Sequence, residues 1–257
     1  MAGRLVLAEA KAGGVRILPV DSEHSALFNM IERFGRETVR GVIITASGGA
    51  FRDLPLDALA TVSLEDALAH PTWNMGGKIT VDSATMANKG LEVIEAARLF
   101  DLDHGDISVV MHPESRVHSF IRTRDGSLYA QLSRPDMRIP ILNALSWPDM
   151  VDEHVADLDP VLHGLTFRAI EPQRYPLLGL AYHALRSGEG FADAYNAANE
   201  VAVAAFMAGT LPFNAIARVV TATLDSPWPT RLDDIESVLD TDARARQQAR
   251  RAVMEYA

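Results

Sequence analysis

The densest run of chemically competent side chains lies between positions 70 and 92. His70-Pro-Thr-Trp-Asn-Met-Gly-Gly-Lys78 combines a proline, two glycines and a tryptophan. That composition suits a closing lid, and equally an inert loop on which Trp73 packs. Ser83-Ala-Thr-Met-Ala-Asn88-Lys89-Gly90-Leu91-Glu92 follows. Hydroxyl, amide and ammonium donors gathered ahead of a helix suit a phosphate. Glu92 lies one helical turn beyond Asn88 and shares its face, with a solvated helix surface as the structural alternative. Upstream stands Val20-Asp21-Ser22-Glu23-His24, after a strand-like run. In extended chain Asp21 and Glu23 point one way and Ser22 the other. Two carboxylates past a strand end are a starting set for Mg²⁺ or Mn²⁺, and a polar loop with a helix cap accounts for the same string. Ala46-Ser47-Gly48-Gly49 offers backbone N–H groups and a hydroxyl, an anion site at a sheet edge or only a tight turn.

Two other strings favour structural roles. His112 and His118 stand six apart, which fits neither a helical metal pair nor a catalytic triad, and His118 is expected to be a hydrogen-bonded structural residue. Tyr195-Asn196-Ala-Ala-Asn199-Glu200 is followed by small apolar residues that favour helix–helix packing over a polar site. The chain contains no G-x-G-x-x-G, so the phosphate turn of a dinucleotide fold is missing from it.

The elements that must position these groups alternate at first. An amphipathic helix already under way at the first residue carries Leu5, Leu7 and Ala8. Strands are expected at 15–20, 41–46, 78–81, 107–111, 117–123 and 127–132, the last two joined by Asp125-Gly126 as a hairpin. A helix through Leu91, Ile94, Ala97 and Leu99 lies between the third and fourth. Residues 147–172 are rich in Pro, Asp and His and read as a linker, and helices are expected at 177–185, 191–207, 213–224 and 240–256. The fold class is therefore an α/β (α+β) domain over 11–146 followed by an all-α helical bundle over 173–257.

Composition sets limits. The 257 residues are 48% hydrophobic and 23% charged, as in an ordinary globular protein. A net charge of −10 argues against non-specific nucleic-acid binding. Zero cysteines excludes disulfides, thiolate catalysis and Cys-based metal sites, so a metal here must use carboxylates or histidines. No apolar run approaches the ~18–20 residues of a membrane span, and no signal peptide is recognisable, which makes no membrane association and a cytoplasmic location the expectation.

Taken together, these segments resemble the 1-deoxy-D-xylulose 5-phosphate reductoisomerase family of isoprenoid precursor synthesis. The matching strings are Pro19-Val-Asp-Ser-Glu-His24, Thr45-Ala-Ser-Gly-Gly49, His70-Pro-Thr-Trp-Asn-Met-Gly76, Val81-Asp-Ser-Ala-Thr-Met86 with Asn88-Lys-Gly-Leu-Glu92, Ala130-Gln131 with Pro135-Asp-Met-Arg138, and Asn196-Ala-Ala-Asn-Glu200, in the family's order. Departures at Ala50, Ala87 and Glu114 touch no presumed ligand. The resemblance implies Asp21, Glu23 and Glu92 as ligands of Mg²⁺ or Mn²⁺. It implies Ser47, Ser83, Asn88 and Lys89 around the phosphate of a phosphorylated sugar, with His70 reaching in from the lid. Ser22 would touch the substrate's oxygenated carbons, Glu23 and Glu92 would contact both metal and substrate, and Glu23, Glu92 and His70 form the implied catalytic set. Met75, Gly76 and Met137 would lie against the nicotinamide of NADPH. A homodimer is expected from the family.

The family's N-terminal nucleotide-binding domain is not represented, and residues 1–10 read as its remnant. The expectation is a chain that binds metal and the phosphorylated sugar, with little turnover of its own. Two other readings stand beside it: a non-catalytic remnant or dimerisation partner, and an NADPH-independent metal-dependent sugar-phosphate isomerase or lyase.

Overall fold

The computed structural model describes residues 1–152, 155–159 and 164–257. In chain order its elements are α1 (Gly3–Ala12), α2 (Ser22–Phe34), β1 (Val39–Ala46), α3 (Leu64–Leu68), α4 (Gly77–Thr85), α5 (Ala87–Leu99), β2 (Ile107–Met111), β3 (Val117–Thr123), β4 (Leu128–Leu132), α6 (Arg138–Ser146), α7 (Pro176–Ser187), α8 (Glu189–Met207), α9 (Ala215–Leu224) and α10 (Ile235–Tyr256). Contacts divide the chain into two units, one of residues 1–9, 48–95 and 171–257, the other of 10–47 and 96–170. Where the sequence suggests one continuous domain over 11–146, residues 48–95 instead cluster with the C-terminal helices. No helix among the described residues is long and apolar enough to cross a membrane.

The 10–47/96–170 unit is built on a four-stranded sheet in the order β2-β1-β3-β4. β1 pairs parallel with β2 (Ile44 opposite Val109) and antiparallel with β3 (Ile43 opposite Phe120). A central strand covered on both sides should be apolar throughout, and every residue of β1 except Arg40 is buried. Helix α2 packs its Leu27, Met30 and Ile31 inward, and Ser119 Oγ on β3 donates to the Glu23 carbonyl at 3.0 Å. The hairpin between β3 and β4 turns at Asp125-Gly126, where Gly126 takes a φ of 90° that other residues rarely adopt.

Two expected strands are absent. Residues 15–20 join no ladder among the described residues, and Val15, Ile17 and Val20 are exposed. Arg16 anchors this segment instead, its guanidinium 4.3 Å from the Trp147 ring centroid and 2.6 Å from Glu32. The β-branched run was not enough without a neighbouring strand to pair with. Residues 78–81 are helical, within α4. Thr80 Oγ1 donates to the Gly76 carbonyl at 2.9 Å, Lys78 pairs with Asp82 one turn on at 2.7 Å, and Met86 ends the helix in the left-handed region at φ 58°. Thr80, Val81, Ala84 and Thr85 are buried at helical spacing, so packing overrides β propensity. The described part of 147–172 contains neither helix nor strand beyond one bridge between Met111 and Arg168, while 153–154 and 160–163 of that expected linker lie outside the described residues.

The other unit is helical. Alanines on α8 (Ala194, Ala197, Ala198, Ala202) and α10 (Ala245, Ala249) are completely buried, and their small side chains let helices approach closely. Aromatics fill the wider gaps, with Phe213 edge-on to Phe51 at 4.9 Å and to Phe206 at 5.6 Å. α10 starts at a capping box in which Ser237 N–H donates to Asp234 Oδ1 at 2.8 Å. Helices α7, α8 and α9 fall within about two residues of their expected bounds, whereas α10 starts at Ile235, five residues before the expected 240, because the Asp234 capping box sets its first turn. The first helix, by contrast, begins at Gly3 and buries no residue fully.

Candidate functional site

The residues singled out fall into both units, and each group takes its geometry from its own. In the sheet unit Asp21 is the N-cap of α2, its Oδ1 accepting from Glu23 N–H and His24 N–H at 3.1 Å each. Glu23 therefore sits in the first helical turn, not across a pleat from Asp21 as an extended strand would have it. The cap was one of the two readings of this string, and it leaves an acidic N-terminus that the helix dipole favours. Ser22 Oγ donates to Glu23 Oε2 at 2.5 Å. The His24 ring lies buried beneath, its Nδ1 3.0 Å from Asp21 Oδ1.

In the helical unit Ser83 lies inside α4, while Asn88, Lys89 and Glu92 occupy the start of α5. Glu92 is only 3% exposed, which rules out the solvated-surface reading. Asn88 Nδ2 donates to its Oε1 at 2.6 Å and Lys89 Nζ to its Oε2 at 2.5 Å. A buried carboxylate with both oxygens served can stay ionised, since its lost hydration is replaced by charge-assisted hydrogen bonds.

The Ser-Gly-Gly turn straddles the border, with Ser47 closing the 10–47 segment and Gly48 opening the next. Gly49 has φ 66°, and a Cβ there would stand 2.5 Å from Ala84 Cα and 2.6 Å from the Ser83 carbonyl oxygen. Tyr175 OH donates to the Gly48 carbonyl at 2.8 Å, so this backbone is pinned from both sides.

His70 Nδ1 accepts from the N–H groups of Thr72 (3.1 Å) and Trp73 (2.9 Å), which places the ring proton on Nε2. Burial holds this imidazole below its ordinary range, aided by the Arg52 charge, so it is neutral at pH 7. Met75 and Trp73 are half-buried, Gly76 caps α4, and Met137 is exposed at the start of α6 in the sheet unit.

The two histidines of the 112–118 string are structural. His118 Nε2 lies 2.9 Å from Ser133 Oγ, and His112 Nδ1 lies 2.8 Å from the Thr166 carbonyl while its ring stacks on Phe167. Sequence reasoning missed one feature near the site. Asp82, beside Ser83, accepts from Asn199 Nδ2 at 2.8 Å across 117 residues. Its signal is the polar Asn199 amid small apolar residues, where packing is the favoured reading over a polar site.

Two family models and several relatives match this chain. A family model described as the 1-deoxy-D-xylulose 5-phosphate reductoisomerase C-terminal domain matches residues 17–100, and one described as the DXP reductoisomerase C-terminal domain matches 132–248. The reductoisomerase of Geobacter metallireducens is 49% identical over 253 residues, 98% of this chain and 66% of the relative. That of Thermosynechococcus vestitus is 48% identical, over 95% of this chain and 60% of the relative. Among solved structures, DOX-P reductoisomerase in complex with NADPH, fosmidomycin and magnesium superposes with a TM-score of 0.93 at 40% identity, over 99% of this chain and 67% of that one. The Zymomonas mobilis enzyme in complex with NADPH gives 0.91 at 42%, over 98% and 65%. Fold and sequence likeness thus define a chain built like the C-terminal domains of a reductoisomerase. It belongs to the 1-deoxy-D-xylulose 5-phosphate reductoisomerase family. The chain spans about 65% of the length of the curated relatives it matches.

Proposed function

We propose that this chain supplies the metal- and substrate-binding part of a reductoisomerase. The reaction is rearrangement of 1-deoxy-D-xylulose 5-phosphate and reduction by NADPH to 2-C-methyl-D-erythritol 4-phosphate. The observation that carries the reading is the buried Glu92 carboxylate held by Asn88 and Lys89. A carboxyl kept out of water beside amide and ammonium donors suits a cation on one side and a phosphorylated sugar on the other.

Asp21, Glu23 and Glu92 form an all-oxygen donor set, which fits a hard dication, and they would hold Mg²⁺ or Mn²⁺. Such an ion supplies Lewis-acid stabilisation of charge on vicinal substrate oxygens. The chain's own residues do the positioning. Ser47, Ser83, Asn88 and Lys89 bind the phosphate, which orients the carbon skeleton from a distance. Ser22 meets the substrate hydroxyls. His70, neutral with its proton on Nε2, donates from the 70–76 loop, and that loop excludes water. Met75, Gly76 and Met137 offer an apolar bed for the nicotinamide. A homodimer is part of the proposal, supported by the solvent-facing apolar residues Leu128 and Leu132 on the outer strand β4.

The test is Mn²⁺ binding followed by electron paramagnetic resonance, with Asp21→Asn, Glu23→Gln and Glu92→Gln. Each variant is expected to weaken binding at least about tenfold, as loss of one of three carboxylates should. Mn²⁺ binding that all three variants leave intact refutes the assignment.

A further inference from the structure

The 195–200 string on α8 takes no part in the chemistry above, yet it holds the segment that does. Asn199 is completely buried. Its Nδ2 donates to Asp82 Oδ1 at 2.8 Å, and its own Oδ1 has no hydrogen-bond partner among the described residues. Asp82 is 1% exposed, and its other oxygen meets Lys78 Nζ at 2.7 Å. One helical turn before Asn199, the Tyr195 hydroxyl lies 3.2 Å from the Leu177 carbonyl and 3.5 Å from that of Ala87. A Cβ on Gly90 would come within 2.6 Å of the same hydroxyl.

α8 thus grips the α4–α5 elbow at Asp82, Ala87 and Gly90. Ser83, Asn88 and Lys89 are the neighbours of those gripped positions. An apolar pair of similar volume would pack α4 on α8 without the desolvation of a carboxylate or an orphaned amide oxygen. What the polar pair adds is direction, because a hydrogen bond fixes rotation and register where apolar contact allows slippage.

We propose that Asn199 is a positioning residue for phosphate binding: through Asp82, and together with Tyr195, it sets the α4–α5 elbow at the spacing that presents Ser83, Asn88 and Lys89 to a phosphoryl group. The inference rests on the phosphate reading of those three residues. It is tested with inorganic phosphate, titrated against the full chain and followed by ³¹P nuclear magnetic resonance. Asn199→Leu keeps the branched shape and removes the donor, and Tyr195→Phe removes only a hydroxyl. The swap Asp82→Asn with Asn199→Asp rebuilds one amide-to-carboxylate bond in the opposite direction. Val219→Ala, in the buried core on α9, serves as the stability control.

Asn199→Leu is expected to weaken phosphate about tenfold and Tyr195→Phe severalfold, with the swap recovering most of the loss. Val219→Ala lowers the melting temperature and leaves phosphate affinity unchanged. Wild-type affinity in Asn199→Leu overturns the proposal, as does an equal loss in Val219→Ala at the same melting temperature. Should Asn199→Leu fail to fold, wild-type affinity in Tyr195→Phe together with no recovery by the swap overturns it too. A wild-type chain that binds no phosphate removes the phosphate reading itself and this inference with it, a result distinct from binding that Asn199 does not influence.

Discussion

Asp193 on α8 offers a sharp energetic test. Its side chain is fully buried, and neither carboxylate oxygen has a hydrogen-bond partner among the described residues. Burial pushes its pKa from 3.8 up to about 6, a rise that the N-terminal ammonium and Arg246 oppose and Asp242 reinforces. Arg246 cannot do more, being engaged by Asp242 at 2.7 Å and Glu200 at 2.6 Å. Because the folded chain holds this proton more tightly than the unfolded one, stability is fully present below pH 3.8 and lost as pH rises through 6. At about 1.4 kcal/mol per pH unit between those values, the loss reaches about 3 kcal/mol above pH 7. Asp193→Asn is isosteric and cannot ionise, so it should match the protonated wild type at every pH. Urea unfolding followed by circular dichroism is expected to show the variant more stable by about 3 kcal/mol at pH 8. The advantage should shrink by about 1.4 kcal/mol at pH 5 and vanish below pH 4. All other titrating groups cancel in the difference. An advantage that does not change with pH refutes the reasoning, because the carboxylate would then have an ordinary affinity for its proton.

Three other outcomes follow from the geometry. Gly49→Ala places a Cβ 2.5 Å from Ala84 Cα in a left-handed conformation, and urea unfolding should show a loss of about 2–4 kcal/mol. Lys89→Met removes an ammonium from the buried Glu92, so stability should fall by about 3 kcal/mol, and an unchanged urea midpoint would mean that this ion pair adds nothing net to the fold. Arg4 bonds Glu189 at 2.8 Å and also reaches the Leu232 carbonyl, on a helix that buries no residue fully. Arg4→Ala should therefore expose α1 to limited proteolysis near residues 3–9 while the rest of the chain resists.

The legible parts of this molecule are those where a local pattern and the tertiary environment agree. Apolar spacing located α7 to within a residue or two, and alternation with Asp125-Gly126 located the β3–β4 hairpin. The helix α4 looks like a strand in the sequence because Ile79, Thr80 and Val81 are β-branched, and nothing local reveals that Val81 and Ala84 pack into a helical core. Likewise the chemical character of Asp21 and Glu23 is evident from their types, while the choice between an extended strand end and a helix cap is not. The Asn199–Asp82 bond joins residues 117 apart, a pairing with no signature in either neighbourhood.

The chain crosses between its two units at residues 9–10, 47–48, 95–96 and 170–171. This bears on how the protein is made. During synthesis the 10–47/96–170 unit has its whole sheet once residue 132 has emerged, and it can begin to fold in place. Residues 48–95 cannot, because their core partners on α8 and α9 are translated last. The Gly48–Tyr175 and Asp82–Asn199 bonds close loops of more than a hundred residues, so α4 and α5 wait as unpaired apolar surface until the C-terminus arrives. Slow, chaperone-sensitive maturation of the half that holds Glu92 is the expected consequence of this threading.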